Sequence, residues 1–402
     1  MNNPYDFVPV GPAADRKAIA TQEKFAGHSG TLTCRLQTLT HFFIAGNQER
    51  QARNQHQELR LLREGNAPII PGSSLKGAIR HLAEAISGSC FILPNDPRMR
   101  ARRGDRRQDK LEYYDYQKRR SDAYVLPEGF SPCGLGESPD SHKPEACPAC
   151  RIFGFLADRV LSTGNVSFET AHVAGDYKTA AIILEPFGAP APRHRPFYGT
   201  KASNFQDPRG RKFYYHRIQG ARMMSRKLDF NKTVEALLPG AAFEFTVQYQ
   251  NLSDADLSLL IYALALEDSM RHKLGMGKGV GLGSVHLTIT GWQQLARKNR
   301  YLQFGDGTTN FSGADLQNAV KAQIDAYHRH YARWKDSLAA LQDILAWDEL
   351  HPRDARYPAR EWLKKNPSVA LEDVPDDAAD YGKRPATGTP TLRPFPPSAP
   401  RP

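Results

Sequence analysis

The sequence predicts an α+β fold whose core runs strand, helix, strand, strand, helix, strand, with large insertions between those elements. Three observations predict it. Three stretches alternate apolar and polar residues with the period of two of a half-buried strand. Two others carry apolar residues three and four apart, the spacing of one helix face. Several of the intervening segments are polar, rich in Pro and Gly, and without periodicity.

Gly30 to Ile44 reads as the first strand, with Leu32, Cys34 and Leu36 alternating with Thr31, Thr33 and Arg35. After a polar stretch, Ile69-Ile70-Pro71-Gly72-Ser73-Ser74 leads into a helix ending near Ser87 and striped by Ile79, Leu82, Ala83 and Ile86. Residues 90–150 read as an insertion without a core of its own. Asn165 to Val173 is the second strand, and a basic, irregular stretch follows to Arg217. Phe243, Phe245, Val247 and Tyr249 alternate with Glu244, Thr246 and Gln248 as the third strand. Ser253-Asp254-Ala255-Asp256 is a capping pattern that opens a helix through Leu257, Leu260, Ile261 and Leu264. A glycine-rich loop comes next, then a fourth strand through Val285, Leu287 and Ile289. Stripped of insertions, this is the ferredoxin-like βαββαβ order, which RNA-recognition (RRM-like) folds share. The order by itself assigns no function.

The domain plan that follows is an N-terminal extension (1–29), a core (30–292), a C-terminal helical extension (293–384) and a Pro-rich tail (385–402) expected to be disordered. Ser312-Gly313-Ala314-Asp315 opens a long helix with apolar positions from Leu316 to Leu345 at steps of three and four. One stripe of that kind packs on the main domain or, alternatively, on another subunit.

Apolar residues make up 40% of the 402 residues, and no run is long enough to span a bilayer. Met1 to Ala20 is polar and holds Pro4, Pro9 and Pro12, unlike a signal peptide, so a cytoplasmic location is expected. The formal charge of +11 favours a polyanionic partner. Two basic runs carry the excess. Arg98 to Arg120 holds ten Lys and Arg against four acids, and Arg193 to Lys232 eleven against two. Both are interleaved with Tyr and Phe, which stack on unpaired bases while cations hold phosphates.

Three segments carry chemistry. In Gly275-Met276-Gly277-Lys278-Gly279-Val280-Gly281-Leu282-Gly283, glycine at alternate positions lets backbone amides approach an anion, with Lys278 adding charge. The loop follows a helix and opens a strand, the reverse of a dinucleotide-binding turn. In Pro71-Gly72-Ser73-Ser74-Leu75-Lys76-Gly77-Ala78-Ile79-Arg80, a helix N-terminus offers free amides at Ser73 and Ser74, with Lys76 and Arg80 four apart on one face. Ser73 or Ser74 serving as a plain N-cap is compatible with this. Cys133, His142, Cys147 and Cys150 have the spacing of a closed structural zinc site, with Cys90 as the alternative to His142. An odd count of five cysteines without a secretion signal argues against a disulfide framework.

Taken in order, the Pro71–Arg80 turn, the run Cys147-Pro148-Ala149-Cys150-Arg151-Ile152-Phe153-Gly154, the stretch Gly210-Arg211-Lys212-Phe213-Tyr214-Tyr215-His216 and the late glycine loop resemble the CRISPR-associated RAMP superfamily. They look most like the Cas-seven-type backbone subunits of type III and related effector complexes, over about Gly30 to Trp292. The resemblance implies a subunit that holds guide RNA, stacks into a filament with other effector subunits, and presents a thumb hairpin to the duplex of guide and target RNA or DNA. By position the thumb is Gly175–Arg217, and Arg211 and Lys212 join the RNA contacts. Subunits of this kind that cut RNA carry an Asp in the loop after the first strand. Asn47 occupies that position here, and a carboxamide has no useful basicity near neutral pH. The expectation is RNA binding without cleavage. Two alternatives are a target-cutting endoribonuclease using Glu49, Glu58 or an Asp displaced from the expected position, and a guide-processing ribonuclease using His41 or His28. A third is a zinc-braced interaction module with no RNA role.

Overall fold

The computed structural model describes residues 3–20, 25–46, 55–91, 126–134, 145–157, 160–187, 194–229, 231–296 and 307–380. The fold is α+β. Its frame is β1 (His28–Thr38), α1 (Gly72–Ala85), β2 (Val166–Phe168), β3 (Ala171–Val173), β4 (Ala242–Leu252), α2 (Asp254–Ala265) and β5 (Ser284–Leu295). In the sheet, β5 pairs with β1, β1 with β4, and β2 and β3 follow one another along the far edge of β4; every pairing is antiparallel.

Alternation dictates which face is buried. Leu32, Cys34 and Leu36 sit opposite Val247, Phe245 and Phe243, and all six are buried. The intervening positions face water, where Arg35 pairs with Glu244 at 2.9 Å. α1 covers the buried face with Leu75, Ile79 and Leu82. α2 is buried along almost its whole length, and the Ser253 hydroxyl caps it by accepting from the Asp256 amide at 3.2 Å. Each fully buried Leu or Phe in this layer contributes about 1.5–3 kcal/mol.

Several boundaries differ from the sequence reading. The first strand ends at Thr38, not Ile44. Leu39 and Thr40 turn to donate to the Ser284 carbonyl, and Phe42 bridges to Leu237 instead. The second strand is broken into β2 and β3. At the break, a Cβ on Gly72 would lie 2.1 Å from the Phe168 carbonyl oxygen, so the glycine lets the start of α1 touch the strand.

Within residues 1–29, the strand Tyr5–Pro9 pairs with Gly210–Tyr214. The sheet runs past residue 292. β5 continues to Leu295, and the strand Thr308–Phe311 pairs with it. The long C-terminal helix is two helices, Gly313–His330 and Lys335–Leu345, separated by a 3₁₀ turn at Ala332–Trp334. At that turn the Trp334 indole donates to the Pro12 carbonyl at 2.7 Å. The second helix then lies against the strand Tyr5–Pro9, where the Ser337 hydroxyl donates to the Pro9 carbonyl. Trp362, Leu371 and Val374 close a second apolar cluster with Tyr5 and Phe7.

Among the described residues, 175–217 do not form one hairpin. Thr179–Leu184 pairs with Lys232–Leu237, and Gly210–Tyr214 pairs with the N-terminal strand. No helix of the described residues is long and apolar enough to cross a membrane. The Arg98–Arg120 run and the 385–402 tail lie outside the described residues.

Candidate metal centre and nucleic-acid motifs

Cys147 is the N-cap of the short helix Pro148–Phe153, and Pro148 starts the turn, so Cys147 and Cys150 present their thiols to the same side. Cys90, beyond the end of α1, and Cys133 complete the group. All four are buried, and their sulfurs lie within 4.8 Å of one another. The Cys90 Sγ is 3.6 Å from Cys150 Sγ and 3.7 Å from Cys147 Sγ. Tetrahedral thiolates about 2.3 Å from a metal ion stand roughly 3.8 Å apart, whereas a disulfide needs about 2.05 Å. Four buried soft donors at this spacing can hold a metal ion. Hydrogen bonding with Cys133, Cys150 and Cys90 holds the Cys147 thiol well below its ordinary pKa. His142 lies outside the described residues, and Cys90 stands as the fourth donor.

The predicted RNA contacts fare differently. The N-cap of α1 is Pro71, with no side-chain cap, so neither Ser73 nor Ser74 has that role. Ser73 is exposed and Ser74 half-buried. Lys76 donates to the Val166 carbonyl at 2.9 Å. Arg80 turns inward: Nε donates to Glu84 at 2.7 Å, one terminal nitrogen to the Gly154 carbonyl at 2.7 Å, and the other to Cys150 Sγ at 3.6 Å. Arg211 donates to Glu84 and to the carbonyls of Ser89 and Cys90. The Lys212 ammonium lies 3.4 Å from the centre of the Tyr5 ring and donates to the Tyr198 hydroxyl at 2.9 Å; burial pushes its pKa down to about 7. The sequence offers these side chains as RNA contacts; in the structure each has a partner within the chain. The i, i+4 pairing of Arg80 with Glu84 was the available sign that Arg80 faces a partner on its own helix.

The glycine loop is a packed turn. The Met276 amide donates to Phe43, the Gly283 amide to His41, and the amides of Val280, Gly281 and Leu282 to carbonyls within the loop. Lys278 donates to the Gly275 carbonyl at 3.2 Å. Gly275, Gly277, Gly281 and Gly283 have positive φ, and a Cβ on Gly279 would meet the Tyr357 hydroxyl at 2.3 Å.

Of the acid–base candidates, Glu58 is paired with Lys227. Glu49 and Asn47 lie outside the described residues. His28 bonds Asp254 at 2.6 Å and Gln294 at 2.9 Å. His41 carries two buried ring nitrogens without a hydrogen-bond partner, and burial lowers its pKa.

No curated protein matches the sequence. The crystal structure of Thermofilum pendens Csc2 aligns at 13% identity over 81% of this chain and 91% of that chain, with a TM-score of 0.35, a likeness too loose to carry an argument. A family model described as the RAMP superfamily matches residues 35–286. That span runs from within β1 to the start of β5 and takes in the α1 turn, all four clustered cysteines and the glycine loop. By that match, the chain belongs to the RAMP superfamily.

Proposed function

We propose that this chain is a guide-RNA-binding backbone subunit of a CRISPR effector complex, which supports pairing of the guide with its target and leaves cleavage to other subunits. The observation that carries this reading is the RAMP superfamily match across residues 35–286 in a chain with a net charge of +11. The spatial strand order β5, β1, β4, then β2 and β3 supports a ferredoxin-like core. The four-cysteine group supports one structural zinc, which braces residues 90–150. Filament assembly with further copies and other effector subunits belongs to the same reading. Its test is purification from cells followed by sizing of any bound nucleic acid. Short RNAs of uniform length are the expected result; a preparation free of RNA, or one carrying random lengths, overturns it.

One observation favours a second reading, a guide-processing ribonuclease. His41 keeps both ring nitrogens without partners beside the glycine loop, and burial lowers its pKa, which favours the neutral imidazole that a general base needs. Isolated protein that cuts a precursor repeat RNA, and loses that activity in His41→Ala, would establish it in place of the first.

A further inference from the structure

Three arginines, from α1, the helix Pro148–Phe153 and the strand Gly210–Tyr214, surround the cysteine group, each steadied by an acid. Arg151 forms a fork on Asp256 at 2.7 and 3.1 Å and donates to the Ala146 carbonyl, next to Cys147. Arg211 donates to Glu84 at 2.7 Å and to the Cys90 carbonyl at 2.7 Å. Arg80 donates to the other oxygen of Glu84 and to Cys150 Sγ. Glu84 is buried between the two guanidinium groups. Arg80 is thus clamped from behind and aimed at a sulfur.

Charge gives that aim a purpose. Four thiolates around a divalent ion leave two net negative charges, and such charge away from water needs a cation close by. The Arg80 side chain is only 20% exposed, and its three nitrogens all have partners within the protein. Arg80 is therefore placed to serve the cysteine group, not a phosphate.

We propose that Arg80 is a positioning residue of the metal centre. It donates to the Cys150 thiolate and offsets the charge of the site, while Glu84, held by Arg211, fixes its geometry. The inference rests on the metal reading above, and the experiment separates the two.

Full-length protein is loaded with zinc and titrated with a competing chelator, and the cobalt-substituted form is examined for its sulfur-to-metal charge-transfer band. Wild type is expected to hold one metal ion. In Arg80→Gln the affinity should fall 10- to 100-fold, the usual effect of removing a group that supports a ligand. The band should move to lower energy, because the Cys150 sulfur loses a charged donor. A brace acting through the Gly154 carbonyl alone would not move the band. Arg80→Lys keeps the charge but not the fork, and should shift the band less than Arg80→Gln. Should Arg80→Gln fail to fold, the Arg80→Lys band decides alone. Affinity and band unchanged from wild type in the folded variants overturn the role of Arg80 and leave the metal reading standing. Wild type that binds neither zinc nor cobalt overturns the metal reading itself.

Discussion

The cysteine group and the glycine loop make an instructive pair. Both are short, both stand out by composition, and both have basic residues close by. They differ in what their polar atoms have left to do. In the loop, amides donate to carbonyls of this chain, Lys278 donates to Gly275, and Tyr357 covers Gly279. In the cysteine group, four sulfurs face one another at a metal's spacing and no acid or imidazole joins them among the described residues. Alternating glycines therefore describe a backbone shape. Converging ligand atoms describe a chemistry.

The largest expected effect tests the cysteine side of that contrast. Changing Cys147 and Cys150 together to Ser should abolish metal binding, measured as metal per chain. Structural zinc contributes on the order of 10 kcal/mol to the fold of a segment that depends on it. The described segments 126–134 and 145–150 should then become open to limited proteolysis. One metal ion per chain persisting in the double variant would mean the ligand set is wrong.

Gly283→Ala tests the other side. Gly283 has φ +81°, and an added Cβ would lie 2.0 Å from the Leu274 carbonyl oxygen. The strain and the displaced backbone should cost about 2–4 kcal/mol, read from the urea midpoint. A variant of wild-type stability that loses RNA affinity would make the loop a ligand site after all and break the comparison.

Lys273 sharpens it further. Its ammonium donates to the Leu282 carbonyl at 2.9 Å, and burial, with Lys278 adding to it, pushes its pKa down to about 7. In the unfolded chain a lysine titrates near ~10.4. Between those values the unfolded state binds the proton more readily, so stability rises with pH, by at most about 1.4 kcal/mol per pH unit for this one group. Lys273→Met should flatten the dependence between pH 7 and 10 and be the more stable protein at pH 7. An unchanged profile would mean that the ammonium is not buried under the loop.

How much of this could be read from sequence follows the range of the interactions. The strands of the frame and α2 were legible because alternation, a helical stripe and the Ser253 cap are local. Cys147-Pro148-Ala149-Cys150 was legible for the same reason. That Cys90 joins the cysteine group was not, since the chain must fold back to bring it 3.6 Å from Cys150. The inward contacts of Arg80, Arg211 and Lys212 were not, because their acidic, sulfur and aromatic partners are mostly remote in sequence. The break at Ala332–Trp334 was hidden too, because the steps of three and four continue across it while the carbonyl that Trp334 bonds there, Pro12, is far along the chain.

The smallest expected effect separates two residues that sequence placed side by side. Lys76 and Arg80 lie one turn apart on α1, yet the Lys76 amine has a carbonyl partner at 2.9 Å and the neutral Val166 carbonyl leaves its charge uncompensated, while Arg80 is paired with Glu84. Burial, and Arg80 nearby, lower the Lys76 pKa, so the lysine gains from an added anion. If RNA passes the start of α1, Lys76→Ala should reduce the slope of log affinity against log salt by roughly 0.7, the value for one phosphate of a single strand. Arg80→Gln should leave that slope as it was. Titrations of a short single-stranded RNA from low to moderate salt measure both. Equal losses of slope would put Arg80 back in the RNA track and take it from the metal centre; no loss in either would move the RNA path away from α1.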